Sequence, residues 1–85
     1  MPEITMYTTA SCPFCINAER LFASKGATEI KKIRVDLQPE QLMEMMQKTG
    51  RRTVPQIYIG ERHIGGFDDL RALDLAGELD SLLAA

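Results

Sequence analysis

Two cysteines and one histidine are all the thiol and imidazole ligands in the 85 residues, and that scarcity narrows the chemistry at once. A structural zinc site needs four nitrogen or sulfur ligands; two thiols and His63 fall short. No apolar stretch is long enough to span a bilayer. The charges nearly cancel, 10 basic against 12 acidic for a formal net charge of −2 and a pI near 5.3. Bulk attraction to nucleic acid or to an anionic membrane is therefore not expected. There is no low-complexity tract and no internal repeat. Met1-Pro2-Glu3 lacks the basic and apolar regions of a secretory signal. A two-cysteine chain without such a signal is expected in a reducing cytoplasm, where disulfides are transient and catalytic. With 45% hydrophobic and 26% charged residues, the chain reads as one ordinary globular domain, residues 1–85.

Both cysteines lie in one short segment, Cys12-Pro13-Phe14-Cys15, directly after the strand-like run Ile4-Thr5-Met6-Tyr7-Thr8. A strand feeding a Cys-x-x-Cys that opens a helix is the sequence context of a thioredoxin-like redox site. Pro13 marks the helix start, because the N–H that proline lacks is unpaired at the first helical position anyway. Cys12 is then the N-cap. Its sulfur approaches the free N–H groups of Phe14 and Cys15 at the positive end of the helix dipole, which favours thiolate over thiol. Cys15, one turn inside, is expected to be more buried and less activated. Cys12 is thus predicted to attack and Cys15 to resolve. The rival readings are half a zinc site, which lacks ligands, or a structural staple, which would tie down very little chain.

The pattern along the chain predicts strands at Ile4–Thr8 and Ile30–Asp36, then Val54–Ile59 and the short Arg62–Ile64. Ile4 and Met6 are expected on one face of the first strand, Thr5 and Tyr7 on the other. Helices are predicted from Pro13 to about Lys25, stopped by Gly26, and from Pro39 to Gly50. A third is expected to be capped by Asp68 or Asp69 and to run to about Ala76, with a last short helix holding Leu79, Leu82 and Leu83. Leu42, Met45, Met46 and Thr49 form an inward stripe; methionines at this spacing are read as core filling, not as ligands. Gly60-Glu61 reads as a hairpin turn. The order β-α-β-α-β-β-α implies an α/β fold, with a right-handed parallel crossover first and antiparallel pairing at the end. The result is a central four-stranded mixed sheet flanked by helices. His63, in the hairpin away from the cysteines, is read as a surface or partly packed residue.

Three segments together, Cys12-Pro13-Phe14-Cys15, Thr53-Val54-Pro55 and Gly65-Gly66-Phe67-Asp68-Asp69, resemble the signature segments of a dithiol glutaredoxin. The likeness runs over nearly the whole chain and is greatest to the small bacterial glutaredoxin 3 type, which has a thioredoxin-like fold. Glutathione as co-substrate, with no bound cofactor and no metal, is what the resemblance implies. It makes Val54–Pro55 a cis bond beside the active site, with the Val54 backbone pairing strand-like with the cysteinyl unit of glutathione. From the residues alone, Pro55 opening an edge strand stands equal to that. The resemblance places the glutamyl carboxylate on the N–H groups of Phe67 and Asp68, at a helix N-terminus, with the Asp68 carboxylate toward the ammonium. Gly65 and Gly66 leave room for close approach. Arg51 matches the position that grips the glycyl carboxylate, with Arg52 adjacent; by themselves the two arginines read as a solvated loop. Thr53 completes the second segment, and Phe14 contributes an aromatic face.

The chain departs from its relatives in three places. Thr9 stands where many carry a lysine, Phe14 where tyrosine is common, and Phe67 where cysteine is frequent. The first shifts the weight of carboxylate binding onto Arg51. The expected function is thiol–disulfide exchange on protein–glutathione mixed disulfides and protein disulfides, by a monomer; ribonucleotide reductase is one protein partner the family offers. A redoxin fed by thioredoxin reductase is the nearest rival. A further one is an iron–sulfur carrier sharing a cluster through Cys12 and glutathione, which Pro13 disfavours by stiffening the position after the first cysteine.

Overall fold

A computed structural model describes all 85 residues, Met1–Ala85. The elements run β1 (Ile4–Thr8), α1 (Pro13–Ser24), β2 (Ile30–Arg34), α2 (Pro39–Thr49), β3 (Gln56–Ile59), β4 (Arg62–Gly65), α3 (Phe67–Leu75) and α4 (Leu79–Ala84). The strands form one sheet in the order β2-β1-β3-β4. β1 pairs parallel with β2, from Ile4 opposite Ile30 to Thr8 opposite Arg34, and antiparallel with β3, which pairs antiparallel with β4. This is the mixed α/β sheet of a thioredoxin-like fold.

Alternation along β1 sorts the two faces, since successive strand residues point to opposite sides. Ile4 and Met6 enter the larger core with Cys15, Ala18 and Phe22 of α1, Ile57 and Ile59 of β3, Leu70 of α3, and Leu79 and Leu83 of α4. Tyr7 faces the other way into a smaller core with Val35 and Met45, against which Leu42, Met46 and Tyr58 pack. Met6 and Met45 are fully buried among apolar neighbours, as the core-filling reading of the methionines expects. No helix is long and apolar enough to cross a membrane.

Four boundaries differ from the sequence-based expectation, the smallest being β4, which runs through Gly65 instead of stopping at Ile64 because Gly65 pairs with Ile57. β2 ends at Arg34 instead of Asp36, because β1 ends at Thr8 and offers no later partner; the last tie is Val35 N–H to Thr8 O at 3.0 Å. β3 begins at Gln56 instead of Val54, because Pro55 has no N–H to donate to the ladder. Helix α3 is not capped by Asp68 or Asp69. Gly66 is the N-cap, and Asp69, at the third helical position, accepts the Gly66 N–H at 2.9 Å. Glycine has no side chain with which to cap, so the carboxylate of Asp69 satisfies that donor from inside the helix.

Candidate active site

Strand β1 ends in the loop Thr9–Ser11, and α1 opens immediately beyond it with Cys12 as N-cap and Pro13 first in the helix. The backbone of Cys12 is extended (φ −138°, ψ 96°), so its side chain turns back over the first helical turn. The Cys15 N–H donates to Cys12 Sγ at 3.1 Å, and the Ile16 N–H to Cys12 O at 3.1 Å. The two cysteines are joined as a disulfide, with Cα atoms 5.2 Å apart, inside the usual range for such a bond. Cys15 is the more deeply buried, 2% exposed against 7% for Cys12. Any attack from solvent therefore meets Cys12 first, and a thiolate there would receive a backbone hydrogen bond at the positive end of α1.

Beside Cys12 the chain returns through Val54, whose carbonyl oxygen lies 3.8 Å from Cys12 Sγ. The Val54–Pro55 bond is cis. A groove of about 380 Å³ opens here, and Phe14, Arg51, Thr53, Val54, Pro55, Gly66, Phe67 and Asp68 all line it. Three stretches far apart in sequence thus meet on one surface. Phe14 presents an exposed ring at its edge. Phe67 and Asp68 open α3, so their N–H groups are among the helix's unpaired donors. Arg52, though adjacent to Arg51, is not part of the lining. A larger open groove of about 760 Å³ lies toward α2, against Tyr7, Lys48 and Tyr58, but no residue lining it adjoins Cys12 as Val54 does in the smaller one.

Two lining residues were not singled out as site residues in the sequence. The sequence places Asp69 in the third signature segment and as a possible cap, with no binding role. Asp69 also binds Arg51, with Nη1 to Oδ2 at 2.9 Å, so one carboxylate oxygen ties the segment before β3 to the turn before α3. The Arg51 guanidinium, and secondly the Gly66 N–H, hold the Asp69 carboxyl below the usual carboxylate range. Gly65 lies under this pair at φ +116°, and a Cβ there would fall on the Asp69 carboxylate and 2.9 Å from Arg51 Nη1. Gln56 is the other omission. It is 1% exposed and donates from Nε2 to Thr53 O at 2.9 Å, while its Oε1 meets His63 Nε2 at 2.8 Å. With Gln56 Nε2 committed to a carbonyl, Oε1 must accept, so the His63 Nε2 carries the proton. Burial, then the Arg51 charge, push the His63 pKa down, against a smaller upward pull from Asp69. His63 is thus a partly packed buttress of the groove. A glutamine inside an apolar strand was the available signal for this network, but its partner lies on the neighbouring strand and strand pairing is not written in the local pattern.

On the surface behind the thiols, Arg34 grips Asp36, which accepts the Ala10 N–H at 3.3 Å. Nowhere do three or more histidine, cysteine, aspartate or glutamate side chains converge as a metal site.

Residues 4–64 match the family model Glutaredoxin. A glutaredoxin of Pseudomonas aeruginosa is 52% identical over 85 residues, covering 100% of both chains. Glutaredoxin 3 of Escherichia coli K12 is 45% identical over 83 residues, 98% of this chain and 99% of that one. Among solved structures, a buckwheat glutaredoxin–glutathione complex superposes with a TM-score of 0.89 at 29% identity, covering 98% of this chain and 77% of the other. A redox-active cysteine pair at a helix start, matched in sequence and fold over almost the full length, leaves one assignment: the chain belongs to the glutaredoxin family of thiol oxidoreductases.

Proposed function

We propose that this protein, acting as a single 85-residue domain and a monomer in the reducing cytoplasm, is a glutathione-dependent thiol–disulfide oxidoreductase. The observation that carries the reading is the Cys15 N–H aimed at Cys12 Sγ, at 3.1 Å, with that sulfur 3.8 Å from Val54 O in the groove that collects Arg51, Thr53–Pro55 and Gly66–Asp68. The Cys12 thiolate attacks the glutathione sulfur of a protein–glutathione mixed disulfide. The old S–S bond breaks, the protein thiolate leaves and takes up a proton, and a Cys12–glutathione disulfide forms. A second glutathione thiolate then attacks that bond, releasing glutathione disulfide and the Cys12 thiolate. With a protein disulfide, Cys12 forms a mixed disulfide with the substrate, and Cys15 displaces the substrate thiol to leave the Cys12–Cys15 bond observed here.

In the groove, glutathione lies extended along Val54, whose backbone pairs with its cysteinyl unit. Its glutamyl carboxylate meets the first N–H groups of α3 at Phe67 and Asp68, its ammonium the Asp68 carboxylate, and its glycyl carboxylate Arg51. Phe14 and Pro55 cover the side of the cysteinyl sulfur, Thr53 flanks the backbone, and Gly66 permits the close approach. The known glutathione complex of the buckwheat relative supports this choice of ligand. Glutathionylated proteins and protein disulfides, ribonucleotide reductase among them, are the proposed protein substrates.

The test separates the two cysteines. Cys12→Ser should abolish all turnover. Cys15→Ser should retain removal of glutathione from mixed disulfides and lose reduction of protein disulfides. Each is assayed with glutathione and glutathione reductase, and again with thioredoxin reductase as the electron source. Equal activity of the two variants on a mixed disulfide would refute the assignment of roles; turnover with thioredoxin reductase alone would refute glutathione dependence.

A further inference from the structure

Residues Thr9 to Ser11 lead from β1 into the cysteine helix, and only one of their N–H groups reaches another segment. The Ala10 N–H donates to Asp36 Oδ2 at 3.3 Å. Arg34 holds the same carboxylate from the other side, Nε to Oδ1 at 2.7 Å and Nη2 to Oδ2 at 2.6 Å. Two parallel bonds of this kind are the geometry in which arginine grips a carboxylate most specifically. The grip is anchored on the sheet, since Arg34 stands opposite Thr8 on the last rung of the β1–β2 ladder. Arg34, and then the Ala10 N–H against the opposing effect of desolvation, hold the Asp36 carboxyl down at about 2.

Two consequences of that carboxylate oppose each other. It fixes the loop. It also carries negative charge on the side of the active sulfur: Ala10 is two residues before Cys12 and donates to Asp36 Oδ2 at 3.3 Å, so at 3.8 Å per residue, with the Cys12 side chain added, the carboxylate lies within roughly 15 Å of Sγ. An uncompensated carboxylate at that range disfavours a thiolate weakly, through long-range Coulomb repulsion. Given Cys12 as the attacking sulfur, the reading on which this one rests, we propose that Arg34 and Asp36 form a positioning pair for it. Asp36 pins Ala10 and with it the approach to α1, and Arg34 cancels the charge that would otherwise oppose the thiolate. The charged groups lining the groove beside Cys12 are Arg51, Asp68 and Asp69, and α1 itself carries Glu19 and Arg20. Arg51 is paired with Asp69, and Glu19 with Lys32. All of these stay unchanged in the variants below.

The experiment is the pH dependence of iodoacetamide alkylation of the fully reduced protein, with the labelled cysteine located by peptide mass spectrometry. Asp36→Asn keeps an oxygen to accept the Ala10 N–H and leaves Arg34 uncompensated, so the Cys12 titration should move down. Arg34→Gln leaves Asp36 uncompensated, so it should move up. A unit charge at roughly 15 Å gives a shift of about 0.2 to 0.8 pH unit in either direction at low salt, where screening is weak. The double variant should return close to the unaltered protein. A merely structural role would lower reactivity in both single variants alike. Shifts of one sign, or no shift in either, overturn the charge cancellation. Asp36→Ala should speed amide exchange at Ala10 while leaving β1 and β2 protected; an unchanged Ala10 rate overturns the pin. Labelling of Cys15 ahead of Cys12 in the unaltered protein would overturn the nucleophile assignment itself, and is distinguishable from both.

Discussion

Arg51→Ala is the sharpest test of how the groove handles a carboxylate. Arginine offers five N–H donors, and one of them is already given to Asp69 at 2.9 Å. The others remain for a ligand, on a side chain 47% exposed. Hydrogen bonds to charged groups contribute about 1.5–3 kcal/mol, and this exposure puts the value at the low end. Since 1.4 kcal/mol is a factor of ten, Arg51→Ala should lower kcat/KM for a glutathione mixed disulfide by about tenfold, mostly through KM. Loss of the exposed pair with Asp69 removes about 0.2–1 kcal/mol of stability, too little to unfold the chain. A small neutral disulfide, reduced with dithiothreitol as the donor, should be turned over almost as before, because Cys12 keeps its helix N-terminus. Thr9→Lys should strengthen glutathione use and partly restore Arg51→Ala. The assay is kcat/KM on both substrates for the four proteins. An equal loss on both would mean that Arg51 supports the thiolate or the fold, and no loss on either would assign the carboxylate to another partner; each result refutes the reasoning.

Gly65→Ala should be costly, because φ +116° strains any other residue and the new Cβ would sit on the Asp69–Arg51 pair. A strained backbone position costs about 1–3 kcal/mol, so thermal unfolding should begin at least about 4 °C lower; an unchanged Tm would refute the account of that turn. Acid should weaken the fold through Asp36 and Asp69, whose carboxyls are both held below their ordinary value, mainly by Arg34 and Arg51 respectively. A depressed carboxyl contributes its stability above the unfolded pKa and loses it as pH falls through the folded one. Tm should therefore hold down to about the unfolded value of 3.8 and fall between there and about 2. Asparagine at both positions should flatten that fall, which a pH series of melting curves would show; an equally steep fall in the double variant would assign it to other groups.

The active-site helix was legible almost residue by residue. Its signals are local: a proline suited to the first helical position, a cysteine before it, and apolar residues at helical spacing up to a glycine stop. Strand faces were legible for the same reason, as the alternation of Ile4, Met6 and Tyr7 depends only on the pleat. The misplaced boundaries have two kinds of cause: a partner elsewhere in the chain for β2, and local chemistry that outweighs propensity for β3 and α3. β2 stops where β1 has no more to offer, β3 starts only past a proline, and the α3 cap is a glycine served by an aspartate one turn on.

The candidate groove divides along the same line. Sequence by itself determined the dithiol, its place at a helix start, the unequal roles expected of Cys12 and Cys15, and, through three short segments, the family. Each of these is a property of residues within a turn or two of one another. Only the tertiary structure decided that Arg51 is tied to Asp69, that Gln56 and His63 brace Thr53 from behind, and that Asp36 holds Ala10. These bonds join residues 7 to 26 positions apart, or Gln56 to a carbonyl three residues before it, across the edges of a sheet. A polar side chain's type tells what it is able to bond. Which group stands within 3 Å of it is set by strand order and register, and those emerge only when the apolar faces have found one another.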